Sequence, residues 1–198
     1  MDSHNLPRII GITGRKYNGK DTVANYLRDK FGYKQIAFAG PIKEICDILF
    51  GFNSEQLHGS LKETPDENWF GLTPRQIMQF VGTNMFRDHM SELSPNFGQD
   101  FWLLCAQNNI KRILEQNKNA YIIISDVRFP NEIDLIRKLG GVNIRVKRQE
   151  MYQSIDDIHI SENLIDQLEV NIEISNNGTI DQLYKTIDTL IDKICNKE

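Results

Sequence analysis

Residues 8–22 read Arg-Ile-Ile-Gly-Ile-Thr-Gly14-Arg-Lys-Tyr-Asn-Gly19-Lys20-Asp21-Thr22, and this stretch decides the fold. The apolar run 8–13 ends in glycine, as a buried strand does. After Lys20, the residues Val23, Ala24, Leu27 and Phe31 recur at helical spacing. Between strand and helix stands the pattern G-x-x-x-x-G-K of a phosphate-binding loop, or P-loop. Gly14 and Gly19 permit backbone angles that other residues resist. Successive N–H groups then turn inward on phosphate oxygens, and the start of the helix adds the positive end of its dipole. Lys20 reaches the β- and γ-phosphates, with Lys16, Asn18 and Thr22 completing the cradle. The usual pattern has Ser or Thr straight after the lysine, where its hydroxyl binds magnesium; here Asp21 stands there and Thr22 follows. Asp21 is then expected to meet the ion through water and Thr22 to contact a phosphate. The competing reading is a strand–helix turn with an accidental lysine. The strand before the loop and the helix after it weigh against that.

Outward from the loop, strand and helix patterns alternate. Residues 34–39 read as a second strand, and 41–50 as a helix with Pro41 in its first turn. Residues 51–72 hold turn residues and little period, so a loop or small excursion is expected. Thr73 is an N-cap with Pro74 behind it, opening a helix to about Met90 that residues 91–98 break. A long amphipathic helix is expected over 99–116, with Trp102, Ala106, Ile110 and Ile113 on its apolar side. Residues 121–125 are apolar throughout, as in a central parallel strand. A helix over 131–139, a strand over 142–146, a polar stretch 149–167, a strand over 171–175 and a helix over 179–194 follow. This alternation predicts an α/β fold: a five-stranded parallel sheet covered by helices on both faces. Ligands in such sheets bind at the carboxyl ends of the strands.

The 198 residues suit one domain. Lys and Arg number 23 against 27 Asp and Glu, a net charge of -4, which argues against nucleic acid as a partner. The longest apolar runs, 9–13 and 121–124, are far too short for a bilayer, and no secretory signal is read, so no membrane partner is expected. The three cysteines, Cys46, Cys105 and Cys195, form no C-x-x-C pair, so neither a zinc site nor a disulfide framework is expected. Cys46 and Cys105 are expected to pack as buried thiols. A reducing, cytoplasmic setting fits.

The residues Gly19-Lys20-Asp21-Thr22 resemble the deoxynucleoside monophosphate kinases of tailed phages and large DNA viruses, within the P-loop kinases. So do Phe38-Ala-Gly-Pro41-Ile-Lys43-Glu44, Thr73-Pro74-Arg75-Gln76 continuing to Gly82-Thr83 and Arg87, and Ser125-Asp126-Val127-Arg128-Phe129-Pro130-Asn131-Glu132. The close, Asn176-Asn177-Gly178-Thr179, is similar too, so the resemblance spans nearly the whole chain in order. It implies a single P-loop kinase domain over 1–198, with a monophosphate-binding helical region at 40–118 and a lid-like segment at 148–162. It also implies ATP and Mg2+ as cofactors, a nucleoside monophosphate as substrate, a homodimer, and the host cytoplasm if the source is viral. The Gly-Lys-Asp core also resembles animal-type phosphomevalonate kinases.

The resemblance assigns roles residue by residue. Asp126 closes the third strand, which lies beside the phosphate-loop strand, so its carboxylate faces the magnesium, through water as for Asp21. The alternative is an Asp that caps the next helix or pairs with Arg128. A guanidinium at Arg128 grips phosphate bidentately; an ion pair with Asp126 or Glu132 is the other reading. Arg75 and Gln79 share one helix face, Gln76 and Thr83 flank it, and Arg87 lies two turns below Gln79. These five would bind the monophosphate, against the plainer reading of a solvated helix face. Lys43 is a weaker substrate contact. Trp69, Phe70 and Trp102 are candidates to stack a base, Trp102 being the better core residue. Arg148 at the root of the lid is the expected transition-state arginine, because strand alternation sends Arg145 and Lys147 outward on the opposite face. His159 is a surface residue or a lid contact. The catalytic set is thus Lys20, Asp126, Arg128 and Arg148. The alternatives to a deoxynucleotide kinase are a phosphomevalonate- or dephospho-coenzyme A-type kinase and a non-catalytic ATP-binding regulator.

Overall fold

The computed structural model describes residues 6–149 and 165–195. β1 (Ile9–Thr13) is buried at every position, as a strand covered on both faces must be. It lies at the centre of a sheet of order β2-β3-β1-β4-β5, with β2 (Lys34–Ile36), β3 (Ile122–Val127), β4 (Val142–Lys147) and β5 (Ile172–Ser175). Every neighbouring pair is parallel. The helices are α1 (Lys20–Phe31), α2 (Gly40–Phe50), α3 (Ser54–Leu57), α4 (Pro74–Gln79), α5 (Pro95–Gln116), α6 (Pro130–Lys138) and α7 (Ile180–Cys195).

Ile10 and Ile12 of β1 point to one face, where they pack with Val23 and Leu27 of α1 and with Leu183, Ile187 and Ile191 of α7. Each fully buried isoleucine there contributes about 2 kcal/mol by removal from water. Gly11 faces the other way. A Cβ at Gly11 would run into Ile136 of α6, so α6 covers the second face of the sheet.

Asn143 and Arg145 of β4 lie opposite Gly11 and Thr13 in register, hence on the α6 face. Strand alternation alone sends Arg145 outward, but this face is covered and Arg145 is only 5% exposed. Its Nη1 meets Glu173 Oε1 of β5 at 2.5 Å, and its Nη2 donates to the Leu168 carbonyl. Glu173 also accepts from Lys147 Nζ at 2.8 Å. A buried cation so far from water must be paired, and the register Arg145↔Glu173 supplies its partner.

The chain divides into two compact units, Met1–Ala37 with Ile110–Glu198, and Phe38–Asn109. The core of the second unit gathers Cys46, Phe52, Leu57, Ile77, Met78 and Val81. Residues 51–72, expected as a loop or small excursion, are built from α3, two short 3-10 turns (Ser60–Glu63 and Glu67–Trp69) and a bridge between Asp66 and Leu72. The cause is local: Asn53 and Gln56 form a capping box that starts α3, and Trp69 packs edge-on against Phe50 and Phe52.

The helix opened by Thr73 also departs from expectation. α4 begins with a capping box between Thr73 and Gln76, but from Phe80 to Asp88 the backbone widens to a π-helix, and His89–Glu92 tightens to 3-10. Carbonyls in the widened turns gain side-chain donors: Trp102 Nε1 donates to Gly82 O at 2.8 Å and Ser91 Oγ to Arg87 O at 3.0 Å. α5 starts at Pro95 rather than 99, and β3 runs to Val127, which places Asp126 inside the strand. All three cysteines are free. Cys46 is buried and the others partly so; burial pushes the Cys46 thiol up to about 11.

The hydrogen bond from Lys147, aided by Arg145 and opposed by partial burial, holds the Glu173 carboxyl below its ordinary value of 4.5. A depressed native pKa gives stability that is complete above the unfolded value and lost as pH falls through the native one. The stability difference between wild type and Glu173→Gln in urea denaturation is therefore expected to be full at neutral pH and to shrink progressively below about pH 4.5. A difference independent of pH would contradict this role.

Candidate active site

The candidate site starts where β1 hands the chain to α1. Gly14 has φ +148° and Gly19 φ +94°, angles that favour glycine. A Cβ at Gly14 would also strike the Val146 carbonyl. Tyr17 at the loop tip holds φ +67° without being glycine and is 74% exposed. Such strained positions cluster where a loop is shaped for a ligand. Gly19 is the N-cap of α1 and no side chain caps that end, so the positive end of the helix dipole faces the loop. Lys20 Nζ donates to Arg15 O across the loop at 2.9 Å.

The loop is held by its surroundings. Asn18 Nδ2 donates to Val146 O of β4 at 3.0 Å, and Asn176 Nδ2 donates to Asn18 O at 2.9 Å. Arg15 pairs with Asp166 at 2.6 Å. Lys16 Nζ sits 4.9 Å from the ring centre of Tyr17. Asp21 is exposed and Thr22 partly buried on the first turn of α1. Thr13, the last residue of β1, is fully buried and its hydroxyl has no partner among the described residues.

β3 lies beside β1 with Val127 opposite Thr13, so the half-buried Asp126 stands next to the root of the loop. The turn after it is organised by Glu132, which is 6% exposed. Its Oε2 accepts from Arg128 N at 2.7 Å and from Phe129 N at 3.1 Å. The Glu132 carboxylate thus caps the start of α6. Glu132 takes the backbone N–H of Arg128, while the Arg128 guanidinium is on an exposed residue. From sequence, Glu132 entered as the end of a resembling stretch and as an ion-pair partner for Arg128. Its capping position was nonetheless legible, because a Glu three residues after the residue preceding a helix is the second half of a capping box.

Arg148 is exposed just beyond β4 and lines an open groove of about 400 Å³ with Lys147, Gln149, Glu173 and Asn177. Gln149 N donates to Asn177 Oδ1 at 2.6 Å. The expected lid at 148–162 lies outside the described residues from residue 150 on, as does His159.

In the second unit, Lys43 Nζ lies 3.0 Å from His58 Nδ1. Arg75 pairs with Glu63. Gln76 Oε1 accepts from Thr73 N at 2.9 Å as part of the capping box. Gln79 and Thr83 are exposed and Arg87 is partly buried. Thr83 and Arg87 fall on the π segment, whose last bond joins His89 N to Asn84 O. The expected spacing of Arg87 two turns below Gln79 is therefore set largely by π rather than α geometry. Trp102 is core, Trp69 belongs to the Phe50–Phe52 cluster, and Phe70 is 95% exposed.

Among the described residues no three His, Cys, Asp or Glu gather to hold a metal, and no helix is long and apolar enough to cross a membrane. What the first unit offers is a loop bounded by two glycines at positive φ, with a lysine across it and a carboxylate beside its root.

The chain is similar to known proteins along most of its length. The profile of the family described as deoxynucleotide monophosphate kinase matches residues 8–73 and 52–187. A putative deoxynucleotide monophosphate kinase of Acanthamoeba polyphaga mimivirus is 37% identical over 187 residues, covering 93% of this chain and 96% of the relative. A dephospho-CoA kinase of Borreliella burgdorferi is 27% identical over 218 residues, covering 97% of each. The crystal structure of TT1252 from Thermus thermophilus superimposes with a TM-score of 0.51 at 16% identity, covering 95% of this chain and 98% of that one, a likeness of fold.

Removing the Glu132 carboxylate leaves two backbone donors of the turn without their acceptor. Glu132→Ala is expected to lower stability by about 1–3 kcal/mol in chemical denaturation, and Glu132→Gln, which keeps an acceptor oxygen, by less. Equal losses in the two variants would contradict the capping role.

Proposed function

The chain belongs to the deoxynucleotide monophosphate kinase family, and we propose that it transfers the γ-phosphoryl of ATP to a deoxynucleoside monophosphate. The products are a deoxynucleoside diphosphate and ADP, which places the enzyme in nucleotide supply for DNA synthesis, in the cytoplasm where both substrates are found. The observation that carries the reading is the loop at residues 14–20: two glycines at positive φ, an uncapped helix start and Lys20 across the mouth.

In this reading the loop holds the ATP phosphates through its backbone N–H groups, and Lys20 offsets charge on the β- and γ-oxygens. The acceptor's phosphate oxygen attacks the γ-phosphorus in line, the bond from that phosphorus to the β-bridging oxygen breaks, and ADP leaves. No covalent enzyme intermediate is needed, because positioning and charge neutralisation do most of the work. Arg128 and Arg148 carry the guanidinium charge for the transferring group. Lys43, Arg75, Gln79, Thr83 and Arg87 in the second unit bind the monophosphate, while Gln76 contributes mainly by capping the helix that bears Arg75 and Gln79.

The residues present suit Mg2+. Carboxylate oxygen is the donor this hard cation prefers, and it keeps several of its waters. Asp126 next to the loop root and Asp21 in the first turn of α1 would hold it through those waters. The ion supplies charge neutralisation to the phosphates.

A dephospho-coenzyme A acceptor has one observation in its favour, the full-length likeness to a kinase of that name. The family profile and the higher identity to a kinase of the deoxynucleotide group outweigh it.

Lys20→Ala is the direct test. Diphosphate formation from ATP-Mg2+ and deoxynucleoside monophosphates is expected to fall about 10³-fold or more, the scale of losing a positioned cation in phosphoryl transfer. The melting temperature is expected to stay close to that of wild type, since Lys20 is partly exposed and outside the core. Normal turnover in the mutant would overturn the assignment.

A further inference from the structure

We infer that Asn176 is a positioning residue that fixes the orientation of the Asn18–Gly19 peptide in the phosphate loop; the inference rests on the ATP-binding reading of that loop. Asn176 follows directly on the edge strand β5. Its backbone N–H donates to Lys147 O at 2.7 Å, continuing the β4–β5 pairing that sets Lys147 opposite Ser175. The side chain therefore springs from the sheet. Its amide Nδ2 donates to Asn18 O at 2.9 Å, and the same amide occupies the space that a side chain at Gly19 would need. On the other flank, Asn18 Nδ2 donates to Val146 O at 3.0 Å. Residue 18 is thus tied to the ends of both β4 and β5.

The consequence follows from peptide geometry. The carbonyl of Asn18 and the N–H of Gly19 belong to one planar unit, and in a trans peptide they point in opposite directions. Among the described residues no peptide is cis. Holding the carbonyl on Asn176 aims the Gly19 N–H the other way, as a cradle of inward donors requires. Glycine at position 19 makes rotation of this peptide easy, so something must hold it, and α1 has no side-chain cap that could. The hydrogen bond from Asn176 takes that place. Its neighbour Asn177 holds the exit of β4 through Gln149 N at 2.6 Å, so one dipeptide after β5 touches the phosphate loop and the backbone next to Arg148.

The test is equilibrium binding of ATP, ADP and inorganic tripolyphosphate to the full chain at fixed Mg2+, in wild type, Asn176→Ala and Asn176→Asp. A part-buried hydrogen bond of this kind is expected to change affinity about tenfold. Asn176→Ala should therefore weaken ATP and tripolyphosphate by the same factor of about ten, with KM for the monophosphate and the melting temperature little changed. Asn176→Asp keeps the size but sets a carboxylate against a carbonyl, and should bind no better than the alanine variant. Unchanged affinities in both variants would overturn the inference. So would a loss for ATP and ADP without a loss for tripolyphosphate, which would put Asn176 on the nucleoside. Full affinity in the aspartate variant alone would overturn it as well, because the side chain's volume and not its donor would then be what matters. Failure of wild type to bind either triphosphate would overturn the kinase reading, and this inference with it.

Discussion

The passage of the chain from the central strand β1 into α1 is the constraint on which the rest of the structure depends. A parallel strand buried on both faces ends at the carboxyl edge of the sheet, and here the following helix must begin within seven residues, from Gly14 to Lys20. That turn requires positive φ at Gly14 and Gly19. It also leaves backbone donors that neither sheet nor helix uses. Asp126 is brought to this edge because β3 pairs with β1, and Asn18 is anchored because β4 lies on the other side. The sheet order thus decides which side chains surround the loop.

Charge is distributed to match. The chain as a whole carries -4, yet Lys20, Arg128 and Arg148 all stand close to the carboxyl ends of strands. The buried cation Arg145 serves the sheet instead. Its pairing with Glu173 ties β5 to β4. That tie steadies the strand after which Asn176 reaches the loop.

What could be read from sequence was what is decided locally. The bounds of α1 were legible to the residue, because Gly19 and Gly32 flank an amphipathic run. The Thr73 cap was legible because Thr, Pro and Gln stand in order. The five parallel strands followed from apolar runs between helical patterns. The features that were not legible depend on partners distant in the chain. The π segment is braced by Trp102, 20 residues from Gly82. Arg145 is buried because β5 and the Leu168 carbonyl, on a later segment, cover it. Asn176 reaches a loop 158 residues earlier. Within the candidate site, Lys20, Asp126 and the two glycines were singled out as candidates from the loop pattern and its resemblance. Glu132 and Asn176 act by holding backbone, and for Asn176 no motif spacing reveals which backbone it holds.

The most direct measurement is ATP-dependent turnover across acceptors: dTMP, dGMP, dAMP, dCMP, the matching ribonucleotides and dephospho-coenzyme A. The account predicts conversion of at least one deoxynucleoside monophosphate to its diphosphate with kcat/KM of about 10⁴ M⁻¹s⁻¹ or more, in the ordinary enzymatic range, and no phosphorylation of dephospho-coenzyme A. Phosphorylation of dephospho-coenzyme A alone, or ATP binding without transfer to any acceptor, would contradict it.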